Sequence, residues 1–367
     1  MREYVDGTTA IVRGALDAGC TFFAGYPITP ASGILMSMMR ELPRTGGIAV
    51  QGEDEIASIG MCIGATLAGA RAMTATSGPG ISLYSENIGL AVMGEVPLVI
   101  VDVQRLGPAT GGATTVSQGD VQFVRWGTGG GYPIIALAPS TVAEAYRLTV
   151  RSFQLAERFR CPVFLVTDKE LATTLTTVDA REMVGAGVGA RAVGSAGPPY
   201  RYEPAGDVAP LHEFGRGETV RFTGSTHDTG AYITKHPPTV EALNRHLAEK
   251  IEAHRDEIEM ADADLAEGAS TLVLGYGITG GAVRAAVADL RGSGVPVSSL
   301  VIQSLWPVPE TAIARALHGI ERIIVPELNL GLYRREVERI AGGRKVVGIE
   351  RVDGELIAPQ QIAEVAA

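Results

Sequence analysis

The side chains with chemical potential gather where short apolar runs end. Glu53-Asp54-Glu55 opens a helical pattern over residues 56–68. Acidic groups complement the positive end of a helix dipole, so all three can be plain dipole partners. The functional alternative is a carboxyl at the mouth of a cofactor cleft, with a proton that takes part in chemistry. Gly25-Tyr26-Pro27-Ile28-Thr29-Pro30 lies between a strand-like segment, 21–26, and a helical one, 31–42. Ligands of open α/β sheets bind outside the carboxyl ends of strands. Pro30 suits a first helical turn and Thr29 an N-cap, so capping alone would account for Thr29. Ser77-Gly78-Pro79-Gly80 joins a strand, 71–77, to a helix, 80–93. Such a turn can leave helix N–H groups free for an anion. Arg105 closes the run PLVIVDVQ and heads a glycine-rich stretch, 107–112. A guanidinium at a strand end is placed to grip a carboxylate with two hydrogen bonds; the alternative is a surface arginine. Four strand-end loops of one sheet converge in space, which ties these signals together.

Gly275-Tyr276-Gly277-Ile278-Thr279-Gly280 is a GxGxxG between a strand and a helix. A dinucleotide site would also need an acidic residue for the ribose at the end of the next strand. That strand, VSSLVIQS, ends without one. A tight turn with close packing is the preferred reading. The three cysteines, Cys20, Cys62 and Cys161, form no CxxC pair. They are too few for a self-contained [4Fe–4S] cluster and fit a reducing cytoplasm. The six histidines include no HExxH pattern, so an intrinsic zinc site has no footing.

These groups need a scaffold of alternating strands and helices. Residues 97–104, 133–139 and 162–168 are continuous apolar runs of the kind found in buried parallel strands, with a helix over 141–159 between the last two. A doubly wound α/β domain over 1–184 follows. From 185 to 265 the pattern breaks into Gly, Pro and polar residues, then a charged helical stretch over 239–261; this reads as a connector ending in a solvated helix. A second α/β unit fills 266–367, with strands at 271–276, 297–303, 322–325 and 345–348. At 367 residues, 46% hydrophobic and 20% charged, the chain has the balance of a multidomain globular protein. A net charge of −10 disfavours nucleic acid as a partner. No apolar run reaches membrane-spanning length, and the start Met-Arg-Glu-Tyr-Val-Asp lacks a signal peptide's apolar stretch.

GYPITPAS, QGEDEIASIGMCIGA, TATSGPG, IVDVQRLGPATG and QGD, in this order, resemble the α subunit of 2-oxoacid:ferredoxin oxidoreductases, in particular the split 2-oxoglutarate synthase type. The likeness continues through FTGSTHDTGAY, SLWPVPE and VPELNLG and covers nearly the whole chain. It implies a thiamine-diphosphate pyrimidine-binding domain followed by a transketolase C-terminal-like α/β domain. The implied reaction is oxidative decarboxylation of a 2-oxoacid to acyl-coenzyme A and CO2, with electrons passed to ferredoxin, or its reverse. The resemblance assigns Glu55 as the cofactor-activating carboxyl, with Pro27 also on the cofactor. It assigns Thr29 and Arg105, together with Ile28 and Thr110, to the 2-oxoacid.

The chain departs from the family's loop after Arg105, having Leu106, Ala109, Gly112 and Ala113 where many relatives carry a more polar, proline-containing sequence. That bears on which 2-oxoacid is used. A GDG segment for magnesium and diphosphate is missing: Gly119-Asp120 and Gly206-Asp207 are not followed by glycine. A β subunit is therefore expected to bring Mg2+, the diphosphate site and the [4Fe–4S] cluster, in an α2β2 assembly. The competing readings are a dinucleotide-dependent dehydrogenase built on GYGITG, and a non-catalytic scaffold. Retention of Thr29, Glu55 and Arg105 together argues against a scaffold.

Overall fold

The computed structural model describes all residues except 186, 196 and 203–206. Gly206 of the second Gly-Asp pair thus lies outside the described residues. In chain order the first region holds β1 (Arg2–Val5), β2 (Phe22–Gly25), β3 (Ile48–Gln51), β4 (Ala72–Thr76), β5 (Leu98–Gln104), β6 (Ile135–Leu137), β7 (Pro162–Asp168) and β8 (Thr176–Asp179). The connector carries β9 (Val193–Gly194) and β10 (Leu211–His212). The last region holds β11 (Ala261–Asp264), β12 (Thr271–Tyr276), β13 (Val297–Ile302), β14 (Ser304–Trp306), β15 (Arg322–Glu327) and β16 (Lys345–Glu350).

The main sheet runs β14-β6-β7-β5-β4-β2-β3 and is parallel from β6 to β3. Every residue of β5 and β7 is buried, as their unbroken apolar sequences demand. Alternation along β5 sends Val99, Val101 and Val103 into one core and Leu98 and Ile100 into the other. The first core lies under the helices Gly7–Asp17, Ser32–Glu41 and Val142–Phe159. The second lies under Glu55–Leu67 and Ser85–Met93 and continues into the second sheet through Leu272, Leu274 and Tyr276. That sheet runs β11-β13-β12-β15-β16. Its other face packs Val273, Val301 and Ile324 against the helices Thr279–Gly292 and Pro359–Ala366.

Several sequence expectations need correction. The helix expected over 80–93 is two, Pro79–Leu83 and Ser85–Met93, divided at Tyr84. Tyr84 is buried, with its hydroxyl 2.7 Å from Thr74 Oγ1. The helix expected over 239–261 is Pro237–Glu252 and a short turn, Arg255–Ile258, followed by strand β11. Nor is it merely solvated, because Leu243, His246, Leu247, Lys250 and Ile251 are buried. His246 and Lys250 both reach Glu95 Oε2, at 3.0 and 2.9 Å. Burial works against ionisation of Glu95, but Lys250, His246 and Arg160 overcome it and hold the carboxyl well below its usual range. Strand β14 comes from the last region yet pairs antiparallel with β6 of the main sheet.

Candidate active site

The loop after β2 carries Pro27 and Thr29 exposed and Ile28 half-buried. Thr29 is not an N-cap: the helix Ser32–Glu41 starts from Ala31, without a side-chain cap. Instead the Thr29 carbonyl accepts from Arg105 Nη1 at 2.5 Å. Arg105 is only 6% exposed, and its Nε is buried with no hydrogen-bond partner among the described residues. It is not a surface arginine. Its stem also lines the Gly78 turn, where an added Cβ would lie 3.8 Å from Arg105 Cγ. Thr110 is exposed at the tip of the following loop, which closes where the Gly112 N–H donates to the Leu106 carbonyl.

The three acids before residue 56 separate by role. Asp54 is the N-cap, accepting from the Ala57 N–H at 2.7 Å, and Glu53 is exposed. Glu55, the first helical residue, is 7% exposed and turns inward against Gly80. A Cβ on Gly80 would stand 1.9 Å from Thr76 Oγ1 and 2.9 Å from Glu55 Cγ, so only glycine lets the Pro79–Leu83 turn approach. Thr76 Oγ1 and Ser77 Oγ are buried beside it without hydrogen-bond partners among the described residues. Thr29 and Arg105 thus meet directly beyond the carboxyl ends of β2 and β5, while Glu55, beyond β3, and Arg105 both border the Gly78–Gly80 turn that follows β4.

Two further features escaped the sequence reading. Gln118, from the QGD segment, clips this site to the second sheet. Its Nε2 donates to the Tyr276 carbonyl at 3.0 Å, and its Oε1 accepts from the Leu328 N–H at 3.1 Å. An added Cβ at Gly277 would lie 2.6 Å from Gln118 Nε2, and the Ile278 N–H donates to Asp168 at 3.3 Å. The mouth of GYGITG is filled by these side chains, in keeping with a packing turn. Burial pushes the Asp168 carboxyl up to about 6, against several backbone N–H groups that favour its charge. The second feature is Asp102, fully buried within β5, with Asp120 opposing it. An acid inside an apolar run was the available signal. Among the described residues no group of three or more His, Cys, Asp or Glu could hold a metal ion. No described helix is long and apolar enough to cross a membrane.

Comparison with known proteins fits this arrangement. Residues 13–243 match the family "pyruvate flavodoxin/ferredoxin oxidoreductase, thiamine diphosphate-binding", and residues 269–362 match core domain II of pyruvate:ferredoxin oxidoreductase. The fold and the matched regions are those of a thiamine-diphosphate-binding oxidoreductase subunit. The chain belongs to the 2-oxoacid:ferredoxin oxidoreductase family, as an α subunit. It is 42% identical to 2-oxoglutarate synthase subunit KorA of Methanothermobacter thermautotrophicus, over 98% of this chain and 96% of the relative. It is 35% identical to ketoisovalerate oxidoreductase subunit VorB of the same organism, over 99% of this chain and 96% of the relative. A solved structure, 2-oxoglutarate:ferredoxin oxidoreductase from Magnetococcus marinus with 2-oxoglutarate, coenzyme A and succinyl-CoA bound, superposes with a TM-score of 0.93 at 31% identity. That match covers 99% of this chain and 64% of the solved one.

Proposed function

We propose that this chain is the α subunit of a 2-oxoglutarate synthase. With a β subunit it converts 2-oxoglutarate and coenzyme A to succinyl-coenzyme A and CO2, passing two electrons to ferredoxin, or runs the reverse. The observation that carries the reading is the placement of Thr29, Arg105 and Glu55 around the Gly78–Gly80 turn at the carboxyl end of one sheet, in a chain 42% identical to a 2-oxoglutarate synthase subunit over nearly its whole length. A buried carboxyl beside unpaired hydroxyls and a glycine turn fits the nitrogen-bearing edge of an aminopyrimidine. When bound, thiamine diphosphate supplies a nucleophilic carbon and an electron sink.

The residues of this chain do the rest of the work on their side of the site. Glu55 holds or yields a proton at its carboxyl, with Pro27 lining the cofactor's entry. Arg105 offers a cation to the substrate carboxylate, and Thr29 donates a hydrogen bond to a substrate oxygen. Ile28 and Thr110 border the same oxoacid. Mg2+, the diphosphate contacts and the [4Fe–4S] cluster belong to the β subunit, in an α2β2 complex of the cytoplasm. A second reading, the same reaction on a branched 2-oxoacid, draws on the VorB relatives and on the apolar Leu106 and Ala109 in the loop.

The test is anaerobic, coenzyme A-dependent reduction of a viologen dye by the αβ complex, with each oxoacid in turn. We expect kcat/KM for 2-oxoglutarate to exceed that for 2-oxoisovalerate and pyruvate by at least about tenfold. A preference for 2-oxoisovalerate would establish the second reading, and no turnover with any oxoacid would end both.

A further inference from the structure

Asp102 is the single acid in the Leu98–Gln104 strand, and none of it reaches solvent. Alternation along β5 puts it on the face of Leu98 and Ile100, above the second core. Its register neighbours are Thr76 on β4 and Val166 on β7. Neither of its carboxyl oxygens has a hydrogen-bond donor among the described residues. The Gly78 backbone and a second carboxyl, Asp120, are the polar groups that face it. Asp120 Oδ2 is likewise buried and unpartnered, while the Asp120 N–H is fixed by Gln104 Oε1 at 3.0 Å. With only the Gly78 backbone beside Asp102, two opposed carboxyls resist being ionised together, because little offsets the desolvation of the Asp102 charge. A proton between them removes the conflict and supplies the missing donor.

The charges around the pair are arranged in one direction. Burial pushes Asp102 well above the ordinary aspartate range, and the Asp120 charge adds to that. Burial pushes Asp120 up to about 6, while the Asp102 hydrogen bond and the Arg105 guanidinium pull it back. Arg105 lies three residues beyond Asp102, just past the end of the same strand. Glu55 enters from its helix across Thr76 and Gly80, and Asp168 ends the neighbouring strand opposite Gln104. Asp168 is committed elsewhere, capping the Lys169–Thr173 helix through the Leu171 N–H at 2.9 Å.

We propose that Asp102 and Asp120 share one proton and form a positioning pair for Arg105, and that arrival of the substrate carboxylate draws a second proton into the pair. The proposal rests on the reading of Arg105 as the oxoacid's anchor. In the free protein the singly protonated pair carries one negative charge against one guanidinium. The substrate brings a second negative charge to the same cation. Asp120 then takes a proton from solvent: one O–H bond forms, nothing is oxidised or reduced, and the carboxylate of the substrate replaces Asp120 as the counter-ion. Oxoacid binding is therefore favoured when Asp120 is protonated and weakens as pH rises above about 6, by up to about tenfold per unit.

The experiment measures kcat/KM for 2-oxoglutarate and for coenzyme A from mildly acidic to mildly alkaline pH in the assembled αβ holoenzyme. Wild type, Asp120→Asn, Asp102→Asn and Arg105→Ala are compared. The descending limb is expected for 2-oxoglutarate and not for coenzyme A. It should vanish in Asp120→Asn and persist in Asp102→Asn, whose amide imitates a neutral acid and still donates to Asp120. Persistence of the limb in Asp120→Asn, or its loss in Asp102→Asn, overturns the proposal. If Arg105→Ala leaves the KM for 2-oxoglutarate unchanged, the anchor reading fails instead. A second measurement needs no variant. Infrared difference spectra on adding 2-oxoglutarate to wild type should gain a carboxylic-acid carbonyl band that shifts in D2O, which a ketone band does not. Absence of that band overturns the proposal even if a variant fails to fold.

Discussion

Glu53, Asp54 and Glu55 share a charge and a helix start, and the fold gives them separate work. Asp54→Ala should lose the cap to Ala57 and cost about 1 kcal/mol of stability with little effect on turnover, read from denaturant titration and steady-state rates. Glu55→Gln should keep the fold and the partner subunit but slow C2–H/D exchange on bound thiamine diphosphate, and turnover, by at least about a hundredfold. Glu53→Gln should resemble wild type in the same exchange assay. Wild-type exchange in Glu55→Gln would remove that residue from the chemistry. Arg105→Ala should raise the KM for the oxoacid by the equivalent of roughly 2–4 kcal/mol and spare that for coenzyme A, because the truncation leaves a carboxylate without its cation. Equal effects on both substrates would place Arg105 outside the oxoacid pocket.

Among the elements, the Pro237–Glu252 helix is fixed by a charge cluster that shape alone does not require. Glu95, His246 and Lys250 are each 2% exposed or less. Lys250→Met should cost about 3–5 kcal/mol, since it leaves Glu95 buried with too little compensation, and adding Glu95→Gln should restore part of it. Because the folded Glu95 is held below its unfolded range, its contribution is present above that range. It is lost as pH falls through the folded value, so acid should narrow the gap between wild type and the double variant in thermal melts. The sequence made the buried strands plain: residues 162–168 and 271–276 are apolar runs whose limits coincide with β7 and β12. It also flagged the strand-end loops that carry Glu55, Thr29 and Arg105. The Pro237–Glu252 helix was less legible, because His246 and Lys250 look like solvated residues until Glu95, far away in sequence, is folded against them. The capping alternative for Thr29 fails because the helix starts from Ala31, and the hold of Arg105 on the Thr29 carbonyl arises only through tertiary contact. The three residues of β14 are too few to carry a periodic signal.

For the molecule as a whole, the site has one wall. The chain offers a carboxyl, hydroxyls and a guanidinium, and its thiols are sequestered: burial pushes Cys20 and Cys161 up to about 12 and Cys62 higher still. The purified α chain should therefore be colourless and bind thiamine diphosphate weakly, by absorbance and calorimetry. Stoichiometric iron in it would contradict this. Co-expression with the β subunit should give an α2β2 mass in light scattering, and an active lone α chain would contradict the division of labour.

Strand β14 has a consequence for how the chain is made. On the ribosome, β6 emerges more than 160 residues before its edge partner, so the main sheet must wait with one flank unpaired. The GYGITG region and β12 and β13 are synthesised during that wait. A ribosome stalled before residue 304 should display a nascent sheet that recruits chaperones or sticks to its neighbours, and release of a few more residues beyond the exit tunnel should end that vulnerability. Splitting the gene between the two family-matched regions would make the vulnerability permanent in the first fragment.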